Sequence, residues 1–108
     1  MTKDNQETEQ IKPALFPLGS VYVTRGIQAL MDEKGLDITP FLQCHMTGDD
    51  GDLDEEDKAE NRLSLKHGYR ILSAYHFSPV NDPDNKIKFW IITEADRSVT
   101  TVLLPQEY

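Results

Sequence analysis

The residues with the most chemistry to offer lie in one run, Gly48-Asp49-Asp50-Gly51-Asp52-Leu53-Asp54-Glu55-Glu56-Asp57-Lys58-Ala59-Glu60. Between Asp49 and Glu60 stand eight carboxylates and one cation, Lys58. The local charge is −7 in a chain whose whole formal charge is −8. The remainder carries eleven acids against ten bases, so the acidity is one local object. Clustered carboxylates serve three chemistries: they hold cations, they move protons, or they pair with a basic partner.

Calcium binding by an EF-hand needs oxygen ligands at loop positions 1, 3, 5 and 12 and a glycine at 6. A loop starting at Asp49 puts Gly51 at 3, Leu53 at 5 and Asp54 at 6, and one starting at Met46 has no first ligand. The pattern fails, which leaves only a looser site from Asp49, Asp50 and Asp52. Acid–base catalysis by paired carboxylates needs one of them in an apolar pocket that raises its pKa. Eight crowded acids at an exposed helix start offer no such place. What remains is a solvated, capped helix start or an acidic recognition surface. Asp49, Asp50, Asp52, Glu55, Glu56 and Glu60 are the candidate partner-binding residues.

Other reactive types are sparse. Cys44 and His45 are adjacent on an expected helix and point about 100° apart, so they do not form a nucleophile–base pair. With His67 and His76 they show no structural-zinc spacing. They read as core or surface residues, and Phe89-Trp90 reads as sheet packing. Glu94, Asp96 and Arg97 share one turn. A local salt bridge is the plain expectation there, and a secondary polar contact site is the sharper one. No catalytic residue, metal or cofactor is expected from these patterns. A metal-dependent enzyme built on Asp49, Asp52 and His45 is the least favoured alternative.

The elements that must position these groups are legible from pattern. At 108 residues, 38% hydrophobic and 28% charged, the chain is expected to form one globular domain over 13–108. The polar stretch 1–12 is expected to be a disordered tail. It has no apolar signal-peptide region, no run reaches membrane-spanning length, and one cysteine suits a reducing cytoplasm. A pI near 4.7 argues against direct binding of nucleic acid or an anionic membrane and favours a basic protein partner.

Val21-Tyr22-Val23 is a short β-type run. Thr24 is expected to cap a helix over Arg25 to Lys34, closed by Gly35. Thr39-Pro40 opens a second helix ending near Gly48. Asp52 or Asp54 caps a third, with the acids of the run complementing its positive end and Gly68 as its stop. Strands follow at Tyr69 to Phe77, Ile87 to Thr93 and Ser98 to Leu104, joined by short loops. The expected fold class is α+β, with N-terminal helices packed on a three- to four-stranded antiparallel sheet.

Several segments together resemble a known family. They are Leu15-Phe16-Pro17-Leu18-Gly19; His45-Met46-Thr47-Gly48-Asp49-Asp50-Gly51-Asp52-Leu53; Glu56-Asp57 with Asn61; Gly68 to Tyr75; and Ile92 to Thr101. Over roughly Leu15 to Tyr108 the chain resembles small bacterial plasmid-related proteins, which are carried on plasmids and integrated mobile elements. The resemblance brings no established activity. It departs at Asp50, where such sequences carry an aromatic residue, typically tryptophan.

The resemblance implies a mobile-element protein that binds host machinery. An acidic helix can occupy a groove built for phosphates, because the same Lys and Arg side chains pair with carboxylates. The leading expectation is therefore a non-enzymatic inhibitor or modulator of a host nucleic-acid-handling complex, of the anti-CRISPR or antirestriction type. Its partner would be a basic host protein such as a nuclease or CRISPR effector. The alternative is a homo-oligomeric accessory protein, a homodimer paired through the Val99–Leu104 strand.

Overall fold

The computed structural model describes residues 13–108, so the tail expected over 1–12 lies outside the described residues. Strand β1 (Ser20–Val23) leads into α1 (Arg25–Lys34) and α2 (Thr39–Met46). Helix α3 (Glu55–His67) follows, then β2 (Ile71–Phe77), β3 (Ile87–Thr93), β4 (Val99–Leu103) and a short 3-10 turn, Pro105–Glu107. Both the Arg25–Lys34 helix and the Ile87–Thr93 strand match the expected bounds.

The α+β class holds, but the sheet is mixed. Its order is β1-β4-β3-β2. The β2–β3–β4 meander is antiparallel as expected, whereas β1 joins β4 in parallel, with Val23 opposite Val102. Strand β1 also precedes every helix, so the helices are not simply N-terminal to the sheet. The cause is its long crossover: all three helices and two strands separate β1 from β4, and no hairpin turn constrains its direction. At the join, Gly19 has φ 65°, and a Cβ there would lie 2.2 Å from the Ser98 carbonyl oxygen. Only glycine allows the chain to approach β4 that closely.

The same topology removes one expected interface. Strand β4 lies between β1 and β3, so the Val99–Leu104 segment has no free edge on which a second copy could pair. The sheet edges are β1 and β2.

The core follows from period-2 alternation on the strands. Tyr75, Phe89, Ile91 and Val102 face inward and meet Ile27 of α1 and Leu36 after it. Phe41 of α2 packs edge-on to Phe89, with ring centroids 4.9 Å apart. On the other side of the sheet, Trp90 meets Tyr108 edge-on at 5.7 Å.

The expected cap of α1 is reinforced from a distance. Thr24 accepts only a long bond from the Ile27 amide, 3.5 Å, while its hydroxyl donates to Glu107 at 2.5 Å. The other oxygen of Glu107 accepts from the Gly26 amide at 2.8 Å. A carboxylate from the C-terminal turn thus occupies the positive end of α1. Burial raises the Glu107 pKa, but the hydrogen bonds from Thr24, Leu104 and Gly26 outweigh it and hold the carboxyl below its ordinary value.

Candidate functional site

The acidic run forms two pieces. The first, 49–53, is a strap along the outer edge of β2. Gly51 lies beside Ala74 in a parallel bridge. The Asp52 amide donates to the Ala74 carbonyl at 2.7 Å, and the Ala74 amide donates to the Asp50 carbonyl at 3.2 Å. Gly51 is required at this crossing: its φ is 73°, and a Cβ would stand 2.0 Å from the Ala74 oxygen. The second piece is the start of α3. Asp54, not Asp52, is the cap, accepting from the Asp57 amide at 2.9 Å. Glu55, Glu56 and Asp57 fill the first turn, and α3 stops at Gly68 as expected.

Buried Asn61 fastens the two pieces to the sheet. Its Oδ1 accepts from the Leu72 amide at 3.1 Å, and its Nδ2 donates to the Leu72 carbonyl. The same nitrogen donates to Asp50 Oδ2 at 3.1 Å. Asn61 therefore pairs with Leu72 as a neighbouring strand would, one step along the edge from the Gly51–Ala74 bridge. Tyr75 adds a further tie, its hydroxyl donating to the Asp49 carbonyl. Burial, together with the nearby charges of Asp49 and Asp50, pushes the Tyr75 hydroxyl well above its ordinary pKa, so it remains a donor. Most of the exposed edge of β2 is thereby covered, a common protection against strand pairing between chains.

The six candidate partner-binding residues do not form one face. Asp49 and Asp52 are exposed on the strap, while Asp50 is half-buried against Asn61. Asp52 is engaged with His76, 2.5 Å away. Glu55, Glu56 and Glu60 are exposed on α3. Glu56 and Glu60 are one helical turn apart and share a face turned away from inward-pointing Asn61. The surface is a band running from the strap onto the outer side of the helix. Among the described residues few groups offset it: Lys58 reaches Glu55 at 4.0 Å, and the His76 ring meets Asp52.

The turn holding Glu94, Asp96 and Arg97 is built differently from expectation. No salt bridge forms within it. The Arg97 guanidinium donates instead to three backbone carbonyls: Tyr69 at 2.6 Å, Glu94 at 3.1 Å and Ser64 at 3.1 Å. Two of these, Ser64 and Tyr69, flank the C-terminal end of α3, whose negative dipole attracts cations, although the Ser64 carbonyl also accepts from the Gly68 and Tyr69 amides. Arg97 itself has φ 63°, a left-handed backbone held by these contacts. Asp96 accepts from the Ser98 hydroxyl and amide, which hold its carboxyl below the ordinary value. These groups are committed to shaping the turn, and the Glu94 carboxylate has no partner among the described residues.

His45 is buried in a chain of hydrogen bonds that pattern reading missed. Its Nδ1 lies 2.6 Å from the Ser73 hydroxyl and its Nε2 2.8 Å from Thr93 Oγ1. Thr93 meets Thr100 at 2.7 Å, and Thr100 donates to the Leu18 carbonyl at 2.7 Å. Each hydroxyl has one hydrogen, so Thr100 donates to Leu18, Thr93 to Thr100 and His45 Nε2–H to Thr93. With the ring uncharged near neutral pH, Ser73 donates to Nδ1. Burial, aided by the charge of Arg97, lowers the ring's pKa to about 4. So weak a base, with a threonine where an orienting carboxylate belongs, is poorly made to activate Ser73 at neutral pH. The signal for this network was three hydroxyl residues at inward positions of their strands, with Thr93 directly opposite Thr100.

His45 and Ser73 also line a cavity of about 290 Å3 between the N-terminal segment, α3 and β2. Phe16, Leu65 and Ile71 are among its apolar walls, and Asp50, Asn61 and Arg62 contribute its polar ones. Asp49, Asp52 and His45 do not form a metal-holding group, and both nitrogens of His45 are engaged within the protein. Among the described residues no group of three His, Cys, Asp or Glu side chains is arranged to hold a metal ion. Among them, too, no helix is long and apolar enough to cross a membrane.

Compared with protein-family models, curated proteins and solved structures, the chain has no match in any of the three.

Proposed function

We propose that the chain is a binding protein whose acidic band engages a basic protein of the nucleic-acid-handling class, as an inhibitor or modulator of the anti-CRISPR or antirestriction type. The observation that carries this reading is a surplus of fixed charge. Guarding the β2 edge uses the strap's backbone, Asn61 and acceptor oxygens of Asp49 and Asp50, a need that neutral amides would also meet. Starting α3 uses Asp54 and the acids of one turn. Glu60 exceeds both needs, the strap's acceptors need not be charged, and crowding these carboxylates costs stability through mutual repulsion. A scaffold tied down by Asn61, Tyr75 and the Ala74 bridge presents them in set positions. Preorganised carboxylates pair with Lys and Arg at low entropic cost. The resemblance to mobile-element proteins agrees with such a role.

Affinity capture from bacterial lysate tests this reading. The native protein and a variant with Asp49, Asp50 and Asp52 changed to Asn and Glu55, Glu56 and Glu60 changed to Gln are run side by side. Asn keeps the acceptor oxygens that the strap uses, so the fold is spared. A basic nuclease or other nucleic-acid-binding protein retained by the native form alone supports the reading. Identical eluates count against it.

A second reading is self-assembly, now through β1 instead of β4. Strand β1 is an edge, and its Val21 and Tyr22 are 39% and 58% exposed. A monomer by sedimentation at micromolar concentration counts against that reading.

A further inference from the structure

We propose that the cavity beneath the N-terminal segment is a socket for one aromatic side chain carried by a basic segment of a partner protein. This deepens the acidic-surface reading and rests on it.

Four observations converge. The first is size: about 290 Å3 is at the small end of ligand cavities, ~300–1,000 Å3, and suits one large side chain. The second is the floor. His45 uses both nitrogens within the protein, and one of them engages the Ser73 hydroxyl. The floor thus offers a polar ligand no free donor, while Phe16, Leu65 and Ile71 offer apolar contact. Third, Asp50 belongs both to the cavity lining and to the acidic band. Its Oδ2 holds Asn61, and its Oδ1 takes no hydrogen bond among the described residues, so it can meet a partner cation beside the entrance. Fourth, the one cation of the lining is Arg62, whose flat guanidinium stacks on aromatic rings. An aromatic anchor in a pocket beside charged contacts is a common way for a small interface to concentrate its affinity.

The test is a methyl and amide NMR titration at low salt. Three probes are used: the peptide Lys-Lys-Trp-Lys-Lys, its Lys-Lys-Ala-Lys-Lys counterpart and free indole. The tryptophan peptide is expected to bind about tenfold more tightly than the alanine peptide and to shift the Leu65 and Ile71 methyls. Both peptides are expected to shift the amides of the acidic band. Leu65→Trp, which fills the cavity from α3, is expected to bring the two peptides to equal affinity.

Equal binding of the two peptides to the native protein, with the Leu65 and Ile71 methyls unmoved, overturns the socket and leaves the acidic surface standing. If neither peptide moves the band, both readings fail. If indole moves the methyls while the tryptophan peptide has no advantage, the cavity takes free apolar molecules, and the partner-side-chain proposal is overturned. Should Leu65→Trp unfold the protein, the two-peptide comparison on the native form decides alone.

Discussion

Asp50 and Asn61 meet at 3.1 Å, and that contact couples the acidic strap to α3 and to the edge of the sheet. Asn61 is buried, and its amide serves three partners at once: both backbone groups of Leu72 and the carboxylate of Asp50. The position of the charge is therefore a consequence of one side chain's hydrogen-bonding capacity.

Removing that amide uncovers the edge. Asn61→Ala leaves the Leu72 amide and carbonyl without partners at a part-buried site. Each unsatisfied group costs about 1–3 kcal/mol, so a total loss of ~2–6 kcal/mol is expected by urea unfolding. Hydrogen exchange at Leu72, Ala74 and Asp52 is expected to speed up, while amides of β3 and β4 keep most of their protection. Unchanged exchange at Asp52 contradicts the coupling.

His45 makes stability depend on pH. In the unfolded chain its pKa is ~6.5, and in the fold it is lowered to about 4. Between those values the unfolded state binds a proton that the folded state refuses. The stability tied to neutral His45 is fully present above pH ~6.5 and is lost as pH falls towards 4. At 1.36 kcal/mol per unit the loss approaches ~3 kcal/mol. Unfolding free energies at pH 7 and pH 4.5 check this, and His45→Phe, which cannot titrate, is expected to flatten the difference even though it lowers stability at pH 7. A native protein equally stable at both values contradicts the buried neutral ring.

Arg97 links that ring to the end of α3. Its charge helps to lower the His45 pKa, and its guanidinium donates to the Tyr69 carbonyl and adds a bond to the Ser64 carbonyl, which two backbone amides already reach. Arg97→Met removes both effects. Hydrogen bonds from charged donors are worth ~1.5–3 kcal/mol, and a loss of that order is expected. The His45 ring is expected to titrate at a higher pH, followed by its NMR signals. Arg97→Lys restores only part of the stability, because one ammonium cannot span carbonyls that the guanidinium fork reaches together.

The elements were legible because each carries its own punctuation. Thr24, Gly35, Pro40, Asp54 and Gly68 mark helix ends by mechanisms that operate within a few residues. Pairing across the chain was not legible. Nothing local in Val21-Tyr22-Val23 states that its partner is Val99–Leu103 or that the two run parallel.

The candidate site divides along the same line. The concentration of charge was evident from composition. That Asp50 turns inward to Asn61, that Asp52 engages His76, and that Glu56 and Glu60 face away from the cavity depend on where α3 meets β2. Local pattern points Arg97 to an ion pair within its turn, whereas its acceptors at Ser64 and Tyr69 are distant in sequence. The cavity could not be read at all, since Phe16, Leu65 and Ile71 come together only in the fold.

The central claim is that the acidic band provides binding energy. It is tested most directly by the affinity of a captured partner for the native protein and for the six-residue neutralised variant, measured over a salt series starting near ~50 mM. Native binding is expected to weaken steeply with salt, and the variant to bind at least about tenfold more weakly at low salt with a flattened salt dependence. Equal affinities at low salt would contradict it and leave the band as the guard of a sheet edge.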